Sequence, residues 1–64
     1  MIEPGLYQHY KGGMYDLLHE AYDCESKERL IVYKSLETGR VWVRKHSDFF
    51  SFVTPGTQRF RKIK

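Results

Sequence analysis

His9, Tyr10 and Lys11 precede a Gly12-Gly13 pair, and Asp16 follows shortly after. A carboxylate beside an imidazole favours its charged form and orients the ring, which is the beginning of acid–base chemistry. If Gly12-Gly13 forms a two-residue hairpin loop, His9 lies opposite Asp16, Tyr10 opposite Tyr15 and Tyr7 opposite Leu18. Catalysis needs more than such a pair, and no nucleophile or metal partner stands at a suitable spacing. A cross-strand structural pair is the plainer role for His9 and Asp16, so an enzyme built on them is the last of the functional alternatives.

Other chemistries are excluded more simply. A metal site needs three or four converging ligands, whereas His9, His19, His46 and Cys24 are scattered along the chain. No metal and no cofactor are therefore expected. Gly12-Gly13 does not lead into a helix and is not a phosphate cradle. Cys24 lies between Asp23 and Glu25, whose charges disfavour a reactive thiolate. As the only cysteine it forms no internal disulfide, which favours a reducing compartment.

The stronger signal is an aromatic and cationic stripe of Tyr7, His9, Tyr33, Trp42 and Arg44. Aromatic rings stack on bases or on extended peptides, and an arginine pairs with an anion. Residues 54–64 add Arg59, Arg61, Lys62 and Lys64 with no acid, and the net charge is +3. A solvated tail explains that run most simply, and a weak polyanion contact is the functional version. The stripe also has a structural reading. Phe49, Phe50, Phe52 and Phe60 could fold over it, leaving Arg44 stacked on a ring with its head in water.

These residues must be positioned by a small framework. Sixty-four residues allow one domain, spanning 1–64. At this size only about 60% of the unfolded surface is buried, so an efficient core is needed. One Trp, five Tyr and four Phe supply it. Turn signals recur at Pro4-Gly5, 11–13, 23–27, 37–39 and Pro55-Gly56, a pattern of short strands in a sandwich or barrel. Strands are expected at 6–11, 14–22, 29–36, 41–45 and 58–63, with a short helical or 3-10 turn over His46–Phe52 capped by Ser47. A two-residue loop at Thr38-Gly39 places Tyr33 opposite Arg44, and the longer loop at 23–28 places Leu18 opposite Tyr33 and His19 opposite Val32. Alternation then assigns Leu6, Tyr10, Tyr15, Leu17, Ala21, Leu30, Val32, Leu36, Val41 and Val43 to the core, leaving the stripe on the other face.

Gly5-Leu6-Tyr7-Gln8-His9-Tyr10-Lys11-Gly12, Tyr15, Leu30 to Leu36, Trp42-Val43-Arg44 and Arg59-Phe60 together resemble a family of small bacterial proteins, domain of unknown function 1653. The resemblance covers nearly the whole chain and implies an all-β, five-stranded SH3-like barrel. It implies no activity. Lys45 replaces the proline that usually follows Trp-Val-Arg, and Asp48 replaces a methionine, placing a charge on the turn before the last strand.

The expectation is a non-enzymatic binding module whose aromatic and basic face recognises single-stranded nucleic acid. A protein or peptide interaction module, or a homodimerisation module, is the alternative. No apolar run approaches the roughly 20 residues of a membrane helix, and the start has no signal-peptide pattern. A cytoplasmic monomer or weak homodimer is expected.

Overall fold

The structure is a computed structural model and describes residues 2–64. Strands β1 (Gly5–His9), β2 (Met14–Tyr22), β3 (Arg29–Ser35) and β4 (Val41–Lys45) lead into a one-turn helix, α1 (His46–Phe49). Three short strands follow: β5 (Phe52–Thr54), β6 (Thr57–Gln58) and β7 (Phe60–Lys62). The main sheet has five antiparallel strands in the order β4-β3-β2-β1-β7. The fold is all-β, as expected, but the barrel is not closed, since β4 and β7 remain separate edges.

The expected last strand, 58–63, is two strands. Thr57 and Gln58 pair with β5 across the Pro55-Gly56 turn, whereas Phe60–Lys62 pairs with β1. Arg59 is the crossing point: its N–H donates to Ser51 O at 2.9 Å and its carbonyl accepts from Tyr10 N–H at 2.9 Å. Its two backbone groups thus find partners in segments flanking the two sheets, one just before β5 and one just after β1.

Register decides the faces. Tyr7 lies opposite Tyr15, not Leu18, because the first turn is longer than two residues: His9 N–H donates to Gly13 O at 2.8 Å. This shift of three positions is odd, so it moves Tyr15 and Leu17 onto the face that carries Tyr7. At β3–β4 the shift is even. Tyr33 faces Trp42 and Ile31 faces Arg44, because Ser35 N–H closes the loop on Arg40 O, and face membership is preserved. His19 does face Val32, as expected, while a bulge between Leu17 and His19 puts Leu17 opposite Tyr33.

The core is therefore on the face read as a stripe. Tyr7, Leu17, Ile31, Tyr33, Phe49 and Phe60 are buried together, and of the ten residues assigned above to the core only Leu17 is among them. Phe49 and Phe60 stack in parallel with centroids 4.1 Å apart, and Phe49 meets Tyr7 and Tyr33 edge-on at 5.5 and 5.3 Å. Edge-to-face and offset pairs of this kind add about 0.5–1.5 kcal/mol each beyond the area they bury. Phe50 packs partly against this cluster, whereas Phe52 points outward and is exposed. On the other face Leu6, Leu30 and Val32 are half-buried, and Val41 and Val43 are exposed.

Helix α1 forms where the turn was expected, but Ser47 lies inside it and does not cap it. Lys45 occupies the cap position with no side-chain hydrogen bond.

Candidate functional site

The site grows from β4. Alternation puts Trp42 and Arg44 on the core face, yet β4 is a sheet edge, so both reach past the core to its rim. Trp42 stands beside Tyr33 and is 45% exposed. The Arg40 guanidinium lies 5.5 Å from the indole centroid, a cation–π contact at the end of the preceding turn.

Arg44 is built in more deeply. Its Nε donates to the Tyr33 hydroxyl at 3.2 Å, one Nη donates to Asp48 Oδ2 at 2.6 Å, and its guanidinium carbon sits 5.5 Å from the Phe60 centroid. Burial works against the Arg44 charge, but the Tyr33 hydroxyl and the Asp48 carboxylate outweigh it and raise the pKa above its ordinary value. Arg59 approaches from the crossing segment. Its Nε donates to Ser51 Oγ at 3.1 Å and lies 3.7 Å from Asp48 Oδ1. Ser51 Oγ donates in turn to the Asp48 carbonyl at 2.6 Å. One carboxylate thus lies between two guanidinium groups.

His9 borders this cluster through Phe60, which it meets edge-on at 4.8 Å, and its ring also lies against Tyr10 at 4.6 Å. Burial, followed by the charges of Arg44, Lys11 and Arg59, lowers the His9 pKa below 6.5. The neutral ring also suits its contact, since Nδ1 accepts the Lys11 N–H at 3.2 Å. This corrects the expectation of a charged imidazolium. Asp16 lies opposite Leu6 and Lys34, on the other face of the sheet, so the His9–Asp16 pair is not formed. Beyond His9 an open cleft of about 320 Å³ lies between the first turn and the Pro55-Gly56 turn, lined in part by Tyr10, Gln58 and Arg61.

Of the five stripe residues, the structure leaves His9, Trp42 and Arg44 at the surface patch and takes two into the core. Tyr7 and Tyr33 are 4% and 5% exposed, so neither ring is free to stack on a ligand. The Tyr7 hydroxyl donates to Glu3 O at 2.8 Å; burial and then Glu3 raise its pKa. Tyr33 acts through its hydroxyl, as the support for Arg44. Arg40, Ser51, Asp48 and Arg59 were missed as partners. The usable signal was an acid, Asp48, four residues after Arg44, with only the end of a strand and the start of a helical turn between them. Among the described residues no three His, Cys, Asp or Glu side chains converge as metal ligands.

A family model described as "Protein of unknown function (DUF1653)" matches residues 5–62. The fold is similar to the crystal structure of a DUF1653 protein from Bordetella bronchiseptica, with a TM-score of 0.87 and 29% identity over 97% of this chain and 87% of that one. No curated protein matches. With its Gly5–Gly12 segment, Trp42-Val43-Arg44 and Arg59-Phe60 all inside the matched span, the chain belongs to the DUF1653 family.

Proposed function

We propose that this protein is a non-enzymatic binding module that holds single-stranded nucleic acid on the rim formed by Arg40, Trp42, Arg44, Arg59 and His9. The observation that carries this reading is Trp42, a large indole left 45% exposed with the Arg40 guanidinium 5.5 Å from its ring and Arg44 two residues further along the same face of β4. A base stacks on such a platform whatever its identity, and guanidinium groups alongside meet the backbone phosphates. With Tyr7 and Tyr33 in the core, Trp42 is the stacking residue and the arginines supply most of the affinity.

The accompanying reading is of an SH3-like arrangement left open at one seam, in a cytoplasmic bacterial protein. The five-stranded sheet, whose edge strands meet through Arg44 and Phe60, and the helical turn that follows β4 support the first part. The free, exposed Cys24 and the lack of a membrane-crossing helix among the described residues are compatible with the second.

Titrating the protein into fluorescently labelled short single strands while following their anisotropy tests the proposal. Three arginine–phosphate contacts give a slope of log affinity against log salt of about −2 for single strands. Trp42→Ala, folded by circular dichroism, should weaken binding by about fivefold or more, since stacking on one base is worth about 1–3 kcal/mol. No binding at low salt, or binding indifferent to Trp42, overturns it.

A second reading rests on a different observation. Val41 and Val43 are 53% and 60% exposed on an edge strand, where a second copy could pair. Sedimentation of wild type against Val43→Lys decides it: a monomer in both cases dismisses homodimerisation.

A further inference from the structure

We infer that the place between Arg44 and Arg59, filled by the Asp48 carboxylate, is a seat for a terminal phosphomonoester of the bound strand, in preference to the internal phosphodiesters. This deepens the single-strand reading and rests on it.

The seat has a fixed back and a movable front. Arg44 is held from behind by the Tyr33 hydroxyl and the Phe60 ring, and Arg59 by Ser51 Oγ. None of these supports carries a competing charge. The Asp48 side chain is the outermost member, 44% exposed against 30% for Arg44 and 26% for Arg59. Its contact with Arg59 is loose, at 3.7 Å, compared with 2.6 Å to Arg44. The carboxylate can therefore swing into water while both guanidinium groups keep their neutral partners.

Charge then selects what replaces it. A backbone phosphodiester carries one negative charge, the same as Asp48, so exchanging one for the other gains little electrostatically. A terminal monoester carries about −1.5 to −2 near neutral pH and presents three acceptor oxygens, enough to meet both guanidinium forks. Only the monoester gains by displacing the internal carboxylate. The adjoining Trp42 platform gives the terminal base somewhere to stack, and the open cleft past His9 leaves room for the strand to continue.

The experiment compares one short single strand with a 5′-phosphate, a 3′-phosphate or hydroxyl ends, binding to the wild-type protein near pH 7.5. At least one phosphorylated end should bind about fivefold tighter than the hydroxyl-ended strand, the effect of one further unit charge at about 4 Å in water. Arg59→Gln should bring the phosphorylated strand down to the hydroxyl level. Asp48→Asn should tighten the hydroxyl-ended strand, because internal phosphates can then enter the seat. Equal affinity for all ends, with binding still dependent on Trp42, overturns the seat and leaves the single-strand reading standing. If no strand binds, the single-strand reading fails, and inorganic phosphate decides the seat. Shifts of the Arg44 and Arg59 Nε–H resonances on adding phosphate support it, and unmoved resonances overturn it.

Discussion

Arg44 and Phe60 belong to the two opposite edge strands of one sheet, yet the Arg44 guanidinium lies 5.5 Å from the Phe60 ring centroid. The sheet is curled until its edges meet through side chains, although no ladder of hydrogen bonds joins β4 to β7. Phe60 also touches Tyr15, Tyr33, Phe49 and His9, so the seam of the sheet is also the centre of its core. A binding rim and a folding core share the same residues here, and that constrains which substitutions are informative.

The parallel Phe49–Phe60 stack ties α1 to β7. Both rings are essentially fully buried, and truncating a buried Phe to Ala costs about 3–5 kcal/mol. A domain of this size has a total stability of roughly 3–10 kcal/mol at about 0.05–0.15 kcal/mol per residue. Phe49→Ala or Phe60→Ala should therefore leave a large unfolded fraction at room temperature. Phe49→Leu, which keeps most of the volume, should remain folded with a lowered urea midpoint. Coupling between Phe49→Leu and Phe60→Leu of about 0.5–1.5 kcal/mol is the expected sign of direct stacking. Strict additivity in the cycle counts against the stack.

Arg44 and Asp48 should differ in what they contribute to folding. Arg44 bridges the edges, packs on Phe60 and bonds the Tyr33 hydroxyl, so Arg44→Ala should cost about 1–3 kcal/mol. Asp48 is 44% exposed and its ion pairs are screened by water, so Asp48→Asn should cost less than about 1 kcal/mol. Urea denaturation of the two variants at one pH compares them directly. A larger loss from Asp48→Asn than from Arg44→Ala would show that the carboxylate holds the arginines, contrary to the fixed-back arrangement.

The extents of β2, β3 and β4 and the place of α1 were legible because Gly, Pro and Asp clusters punctuate the chain and α1 follows directly on the Val41–Lys45 strand. The choice of core face was not. Leu6, Leu30, Val32, Val41 and Val43 alternate as cleanly as Tyr7, Ile31, Tyr33 and Trp42, so both faces look apolar and alternation alone cannot rank them. What decides is non-local. Phe49 and Phe60 come from outside the four-strand meander and settle on the aromatic side, where ring edges and faces find partners. The turn length at residues 10–12 was equally opaque, because Gly12-Gly13 suits a two-residue loop and the observed turn uses only Gly12 at positive φ. Arg59 was hidden for a related reason: it reads as one charge in a basic run until the chain changes sheets at that residue.

Gly5 opens β1 with φ +136°, a conformation other residues seldom adopt. A methyl group there would also run into the Lys64 carbonyl oxygen, which accepts the Leu6 N–H at 3.0 Å. Gly5→Ala should thus lose about 1–3 kcal/mol from backbone strain, with a further loss from unseating residues 63–64. Hydrogen exchange separates the two contributions. The Leu6 and Ile63 amides, paired with Lys64 O and Leu6 O, should exchange much faster in the variant, while those of β3 change only with global stability. Unchanged protection at Leu6 would mean that the strand accommodates a side chain after all.

His9 makes stability depend on pH in a direction opposite to that of a salt-bridged histidine. Burial, with Arg44, Lys11 and Arg59 nearby, holds its pKa below the ordinary 6.5 in the folded protein. Below 6.5 the unfolded chain therefore binds a proton more readily than the folded one, and stability rises with pH across that window. The contribution is complete above the unfolded value near 6.5 and is lost as pH falls from there toward the lower folded value. Protonation at Nδ1 would also remove the acceptor for the Lys11 N–H, so the first turn should loosen in the same range. Urea midpoints for wild type and His9→Gln between pH 5 and 8 isolate this effect, because other titrating groups contribute to both. The wild-type midpoint should drop more steeply toward acid than that of His9→Gln, and an NMR titration of the His9 ring should show a midpoint below 6.5. A midpoint at or above that value would show that neither burial nor the nearby cations act on the imidazole as the structure implies.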